Sequence, residues 1–196
     1  TIVCIAFGAV VVIMAYSIGN ISGCHINPAI SLNMLIRKKM TGLEFGVYIG
    51  FQLAGAFLGS VFLGLFNHAS FKDLCCNMIQ PRLRRQNESI AAGEFCGLFI
   101  EIFLTFFFLL IVNAATDERH GNQKFAGLFI GIGLTLGVAC GFGFTGGSLN
   151  PWRSFGPALA TLFGKETEPI KEVWVFILGP FIGAAACAFT YDFLFS

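Results

Sequence analysis

The sequence predicts an all-α integral membrane protein: an inverted repeat of five full transmembrane helices, with two half-helices meeting at the midplane. Three observations predict it. Hydrophobic residues fill 56% of the 196 positions and charged residues only 12%, whereas an ordinary globular domain is charged at roughly a quarter of its positions. Several apolar stretches reach the ~20 residues that a ~30 Å bilayer core requires at 1.5 Å rise each. An Asn-Pro dipeptide occurs twice, each time opening an apolar piece too short to cross.

The five spans are expected at roughly 1–19, 43–66, 93–114, 126–144 and 173–195. None shows the polar face that a soluble helix keeps toward water. The 24 glycines suit helices that approach closely within a bilayer. The polar stretches between spans hold nearly all the charge: Arg37 to Lys39, Lys72 to Glu88, Asp117 to Lys124 and Lys165 to Glu172. The two remaining pieces, about 28–36 and 151–162, each begin at a proline.

Composition also excludes function classes. With 12 Lys and Arg against 11 Asp and Glu, nothing points to nucleic acid. The seven cysteines are an odd number, lie mostly inside apolar segments and include no CxxC, so neither a disulfide framework nor a metal site is expected. No cofactor is expected, and no nucleophile and base pair indicates an enzyme. Thr1 starts directly in an apolar segment with no charged region before it, so no cleavable signal peptide is expected. Basic residues are balanced between the two sets of loops, and charge alone does not set the orientation.

The short pieces are copies of one another. Ser22-Gly23-Cys24-His25-Ile26-Asn27-Pro28-Ala29 corresponds to Gly146-Gly147-Ser148-Leu149-Asn150-Pro151-Trp152. Each copy follows one span and precedes another, and one whole span (about 93–114) separates these two units. An odd number of crossings therefore lies between the short pieces, and they enter from opposite faces. Inverted repeats of this kind surround paths through membranes. Asparagine is a strong N-cap and proline suits the first helical position, so both pieces read as helix starts. Their N-termini each carry about half a positive charge. Brought together, they repel protons and cations, while Asn27 and Asn150 offer amide donors to a passing water. Gly23, Cys24 and His25, with Gly146, Gly147 and Ser148, can present backbone carbonyls as a ladder.

These residues resemble the aquaporin, or major intrinsic protein, family from end to end. The Asn27-Pro28-Ala29 loop looks like its first NPA motif and Gly146 to Ala158 like its second. Gln52 to Ala56, Glu101, Ala115-Thr116-Asp117 and Gly179 to Gly183 agree as well. The resemblance implies a passive channel for water, with glycerol-like neutral solutes open, that excludes protons and ions. It further implies residues 1–196 as one channel domain, assembly with three more copies of itself as a homotetramer, and a place in the lipid bilayer of the cell (plasma) membrane. The competing reading is a non-conducting structural scaffold or an inactive fragment. Matched to a family of six spans, the chain starts in helix two, so helix one is expected to be missing. Trp152 stands where the second motif normally has alanine; the indole turns aside, widens the meeting of the half-helices or obstructs it.

Counting from the asparagines, the resemblance places the selectivity filter at Phe7, Val138, Gly147 and Arg153. An intramembrane arginine is by default functional, and its fork of donors suits passing oxygens. Val138, where strict water channels carry histidine, implies a wider and more apolar opening. Ser154 and Ala158 lean toward the water branch and Ile177 away from it. By resemblance Glu101 holds the second loop; the alternative is a protonated or lipid-masked acid. His25 is expected to help fix the first loop. Cys24, three before its asparagine as Gly147 is before Asn150, is the expected target of a blocking mercurial. No function is read from the loop at 67–92 with Cys75-Cys76.

Overall fold

The computed structural model describes residues 2–72, 74–86, 89–119 and 121–195. Helices α1 (Ile2–Ser22), α2 (Pro28–Ile36), α3 (Gly42–Phe66), α4 (Pro81–Gln86) and α5 (Ile90–Thr116) are followed by α6 (Ala126–Gly141), α7 (Pro151–Ala160) and α8 (Glu168–Phe195). There is no strand among the described residues. Five helices are long and apolar enough to cross a membrane: α1, α3, α5, α8, and α6 with the 3-10 turn Gln123–Phe125 ahead of it. All five coincide with the expected spans to within a few residues. Thr1, and parts of the charged stretches at Asp73, Asn87, Glu88 and His120, lie outside the described residues.

Local chemistry sets the boundaries. Thr41 starts α3 with a capping box: its hydroxyl accepts from the Glu44 backbone N–H, and the Glu44 carboxylate accepts from the Thr41 N–H, satisfying donors that a helix start leaves open. Ser89 caps α5 by accepting from the Ala92 N–H at 3.1 Å. The short α4 was not expected; it opens at Pro81, and its Arg84 pairs with Glu172 at the start of α8.

The inverted repeat is visible in the packing. Helices α1 and α6, the corresponding members of the two halves, cross at Gly8 and Gly131. A Cβ on Gly8 would lie 2.3 Å from the Gly131 carbonyl oxygen, and one on Gly131 would lie 2.7 Å from that of Gly8. Only glycine permits backbones this close. Helix α2 packs on α8 and α7 on α3, so each half-helix is held by the other half. Helix α5 packs along α8 and α6, using Gly183, where a Cβ would lie 2.5 Å from the Ile102 carbonyl. Half of the α8 segment is buried, whereas α1 and α3 bury little and present apolar faces outward.

Candidate functional site

The site begins with two helix starts. Asn27 and Asn150 have nearly the same extended backbone, φ −156° and −149°. The Asn27 Oδ1 accepts from the Ala29 N–H at 2.9 Å. The Asn150 Oδ1 accepts from the N–H groups of Trp152 at 3.1 Å and Arg153 at 3.2 Å. Capping fixes each oxygen against its helix, so each NH2 faces outward. The amides then tie across: Asn27 Nδ2 donates to the Leu149 carbonyl at 2.8 Å and Asn150 Nδ2 to the Ile26 carbonyl at 3.0 Å. Each NH2 has two hydrogens, and the cross-tie uses one of them.

The loops ahead of the asparagines share a backbone pattern. Gly23, Cys24 and Ile26 have positive φ, as do Gly146, Gly147 and Leu149 at the matching positions. Positive φ is rare for non-glycine residues and rarest for a β-branched one such as Ile26 at 41°, so the surroundings must enforce it. In this conformation successive carbonyls cannot enter a helical bonding pattern. Gly147 has a second reason to be glycine: a Cβ there would sit 2.8 Å from the Val138 backbone oxygen.

Two different sets of side chains hold the loops. In the second, the buried Glu101 carboxylate accepts from Thr145 Oγ1 at 2.7 Å, the Ser148 N–H at 2.9 Å and the Leu149 N–H at 2.9 Å. Ser148 Oγ lies 2.6 Å from Ser154 Oγ, which donates to Asn77 Oδ1 at 2.8 Å. Asn77 in turn donates to the Thr145 carbonyl at 3.2 Å. In the first loop, His25 Nδ1 lies 3.0 Å from Ser31 Oγ, to which Gln52 Nε2 donates at 3.1 Å. The Tyr48 hydroxyl donates to the Ser22 carbonyl.

A cavity of about 910 Å³ runs past both asparagines. Phe7 on α1, Val138 on α6 and Arg153 on α7 stand at one end, and Cys24, His25 and Ser148 also line it. Its wall along Val11, Ile30, Phe108, Ile130 and Leu134 is apolar, and the far end carries Arg37, Asp117, Arg119 and Asp192. Arg153 Cζ sits 4.7 Å over the Phe7 ring, too close for a water molecule to fit between them. Its Nη1 donates to the Cys75 carbonyl at 2.9 Å. Gly146, Gly147 and Trp152 do not line the cavity, and Pro28, Ala29 and Pro151 are buried. The Trp152 indole turns aside: Nε1 donates to the Ile49 carbonyl on α3 at 3.0 Å, and the ring packs on Phe155 and Phe181.

Two groups of residues were missed from sequence. Cys75 and Asn77 act through a backbone carbonyl and a loop amide, and neither leaves a spacing signal. At the far end, Arg37 bridges Asp192 at 2.8 Å and Asn113 at 2.8 Å. Arg119 there pairs with Asp117 at 2.9 Å and donates to the Phe195 carbonyl. These contacts hold the Asp117 carboxyl well below the usual range, the Arg119 hydrogen bond foremost. The charges were visible in the sequence; their pairing was not.

Comparison with known proteins agrees with this geometry. The profile of the Major intrinsic protein (MIP) family matches residues 1–191. The chain is 35% identical over 185 residues to the glycerol uptake facilitator protein-like 6 of Lactiplantibacillus plantarum, covering 94% of this chain and 81% of that one. It is 37% identical over 195 residues to the lens fiber major intrinsic protein of Lithobates pipiens, covering 98% and 68%. Among solved structures, the aquaglyceroporin from Plasmodium falciparum has a similar fold. It matches at a TM-score of 0.78 and 21% identity, over 96% of this chain and 80% of that one.

Proposed function

The chain belongs to the major intrinsic protein family and is a passive membrane channel for water and small solutes, and from that premise we propose that solutes follow the cavity from Arg37 past the two asparagines to Arg153. It is not an enzyme, and the scaffold alternative is not favoured. The observation that carries the path is the reciprocal tie of Asn27 and Asn150, which leaves one amide hydrogen on each aimed outward at a shared cavity. A single-file water accepts these two bonds, so its own hydrogens point away from the midpoint along both directions. The two positive helix ends raise the energy of a proton or cation at the same place.

In this reading Phe7, Val138 and Arg153 form the narrow filter, with Phe7 and Arg153 stacked as one wall. Gly147, which does not itself line the cavity, packs against the Val138 backbone. The solute passes beside that pair, along Val138 and Ser148. Gly23, Cys24, His25 and Ser148, which line the cavity, supply carbonyls, and Glu101 keeps the second loop rigid through its three accepted bonds. Water is the main permeant. Glycerol-like solutes are a second reading, favoured by the apolar side that Val138 and Leu134 give the cavity. The family and the apolar outward faces of α1 and α3 support assembly as a homotetramer in the plasma membrane.

The test is stopped-flow osmotic shrinkage of vesicles carrying this chain. Water flow about tenfold above empty vesicles, with weak temperature dependence, supports the path. Flow equal to empty vesicles, with the protein inserted and folded, overturns it. Swelling in a glycerol gradient no faster than in empty vesicles removes the second reading.

A further inference from the structure

Cys75 and Cys76 are the one adjacent pair among the seven cysteines. Cys75 adjoins the Phe7 and Arg153 stack through its carbonyl; its own residue is exposed and Cys76 is half-buried. Both border a small pocket of about 160 Å³, together with Met78 and Glu166. The pocket therefore carries three sulfur atoms. No cluster of three His, Cys, Asp or Glu able to hold an ion exists among the described residues, so the donors suit a soft centre of low coordination number rather than a zinc-like ion.

The backbone makes the pair consequential. Cys75 has φ 55°, an uncommon conformation for a residue with a side chain. Its carbonyl, the acceptor for Arg153 Nη1 at 2.9 Å, belongs to the peptide that joins Cys75 to Cys76. Any ring closed through the two sulfurs contains that peptide.

We propose that Cys75 and Cys76 form a chelating site for a trivalent arsenical, and that its occupation acts on the filter because the carbonyl holding Arg153 lies inside the chelate ring. The reaction is balanced without an oxidant. Two thiols and an arsenoxide, R–As=O, form two As–S bonds; the As=O bond breaks, and oxygen leaves with both thiol protons as water. Arsenic stays trivalent and sulfur stays reduced. The ring constrains the peptide and turns its carbonyl from Arg153, while the arsenical's organic group fills the outer pocket.

The probe is phenylarsine oxide, with the full chain in liposomes. Intact mass should show one phenylarsenic adduct per chain, present in Cys24→Ser and absent from both Cys75→Ser and Cys76→Ser. In the unsubstituted chain, the adduct should protect both cysteines from iodoacetamide, a readout that needs no variant to fold. A dithiol should reverse it where an equal concentration of monothiol does not. Water flow in the reacted chain should fall by about threefold or more relative to the unreacted chain, as expected for an obstructed filter. No adduct, or an adduct that persists in the Cys75→Ser/Cys76→Ser double variant, overturns the site. An adduct that forms and leaves flow unchanged overturns its coupling to the filter. That coupling rests on the channel reading, but the mass measurement does not, so the two failures are distinguishable.

Discussion

Glu101 is the residue on which most of the second loop converges. Removing its carboxylate leaves two buried backbone N–H groups without their acceptor and the Thr145 hydroxyl with only the Gly141 carbonyl at 3.5 Å, and each unsatisfied buried group costs about 1–3 kcal/mol. Glu101→Ala should therefore reduce water flow by more than about tenfold and lower the thermal stability; near-normal flow in stopped-flow shrinkage would refute the supporting role. Trp152 has the opposite expectation. Because the indole lies on α3 and outside the cavity, Trp152→Ala should keep flow within about twofold while costing roughly 2–3 kcal/mol in packing. Melting in detergent reads the second quantity, and a large rise in flow would mean that the ring obstructs after all. Cys24 lines the cavity, so a mercurial should slow flow through it. Block that survives Cys24→Ser would assign the effect elsewhere, with Cys75 and Cys76 as the next candidates.

At the scale of elements, the α1 and α6 crossing and the Asp117 latch set the two expectations. A side chain at Gly8 meets the α6 backbone itself, which cannot rotate away. Gly8→Leu should cost about 3 kcal/mol or more, read as a lowered melting temperature or failed insertion. The latch joins the end of α5 to the end of α8 through Arg119, Asp117 and Tyr191. Because the folded Asp117 carboxyl is held below its usual value of about 4, its contribution is present above that value and lost as pH falls through the lower folded one. The melting difference between the natural chain and Asp117→Asn should stay constant from about pH 5 to 8 and shrink only in stronger acid.

For the whole molecule, the inverted arrangement determines what moves and what does not. Each half-helix is clamped by the other half, so the two asparagines are fixed relative to one another by packing and by two cross-ties. A path built this rigidly conducts without a large conformational change. Water flow should then show the weak temperature dependence of diffusion through a preformed pore, measurable between about 10 and 35 °C by the same vesicle assay. Steep dependence would point to flow through lipid instead. The outward apolar faces of α1 and α3 make assembly state a property of this scale, and native mass spectrometry from detergent is the direct measurement of the proposed tetramer.

The spans were legible in the sequence because a bilayer allows few solutions: a long apolar stretch must satisfy its backbone internally, and helices do so. The repeated Asn-Pro was legible for a local reason, since a cap and a first-turn proline act within three residues of one another. Other features depend on residues far apart in the chain. That Trp152 turns onto α3, that Arg153 stacks on Phe7 and is held by the Cys75 carbonyl, and that Asn77 reaches the second loop follow from packing between segments separated by more than 60 positions. The sequence by itself determined which segments cross and where two helix ends begin. Tertiary structure alone decided which atoms face the shared cavity, because facing is set by how the two halves close on one another and not by any residue's own preference.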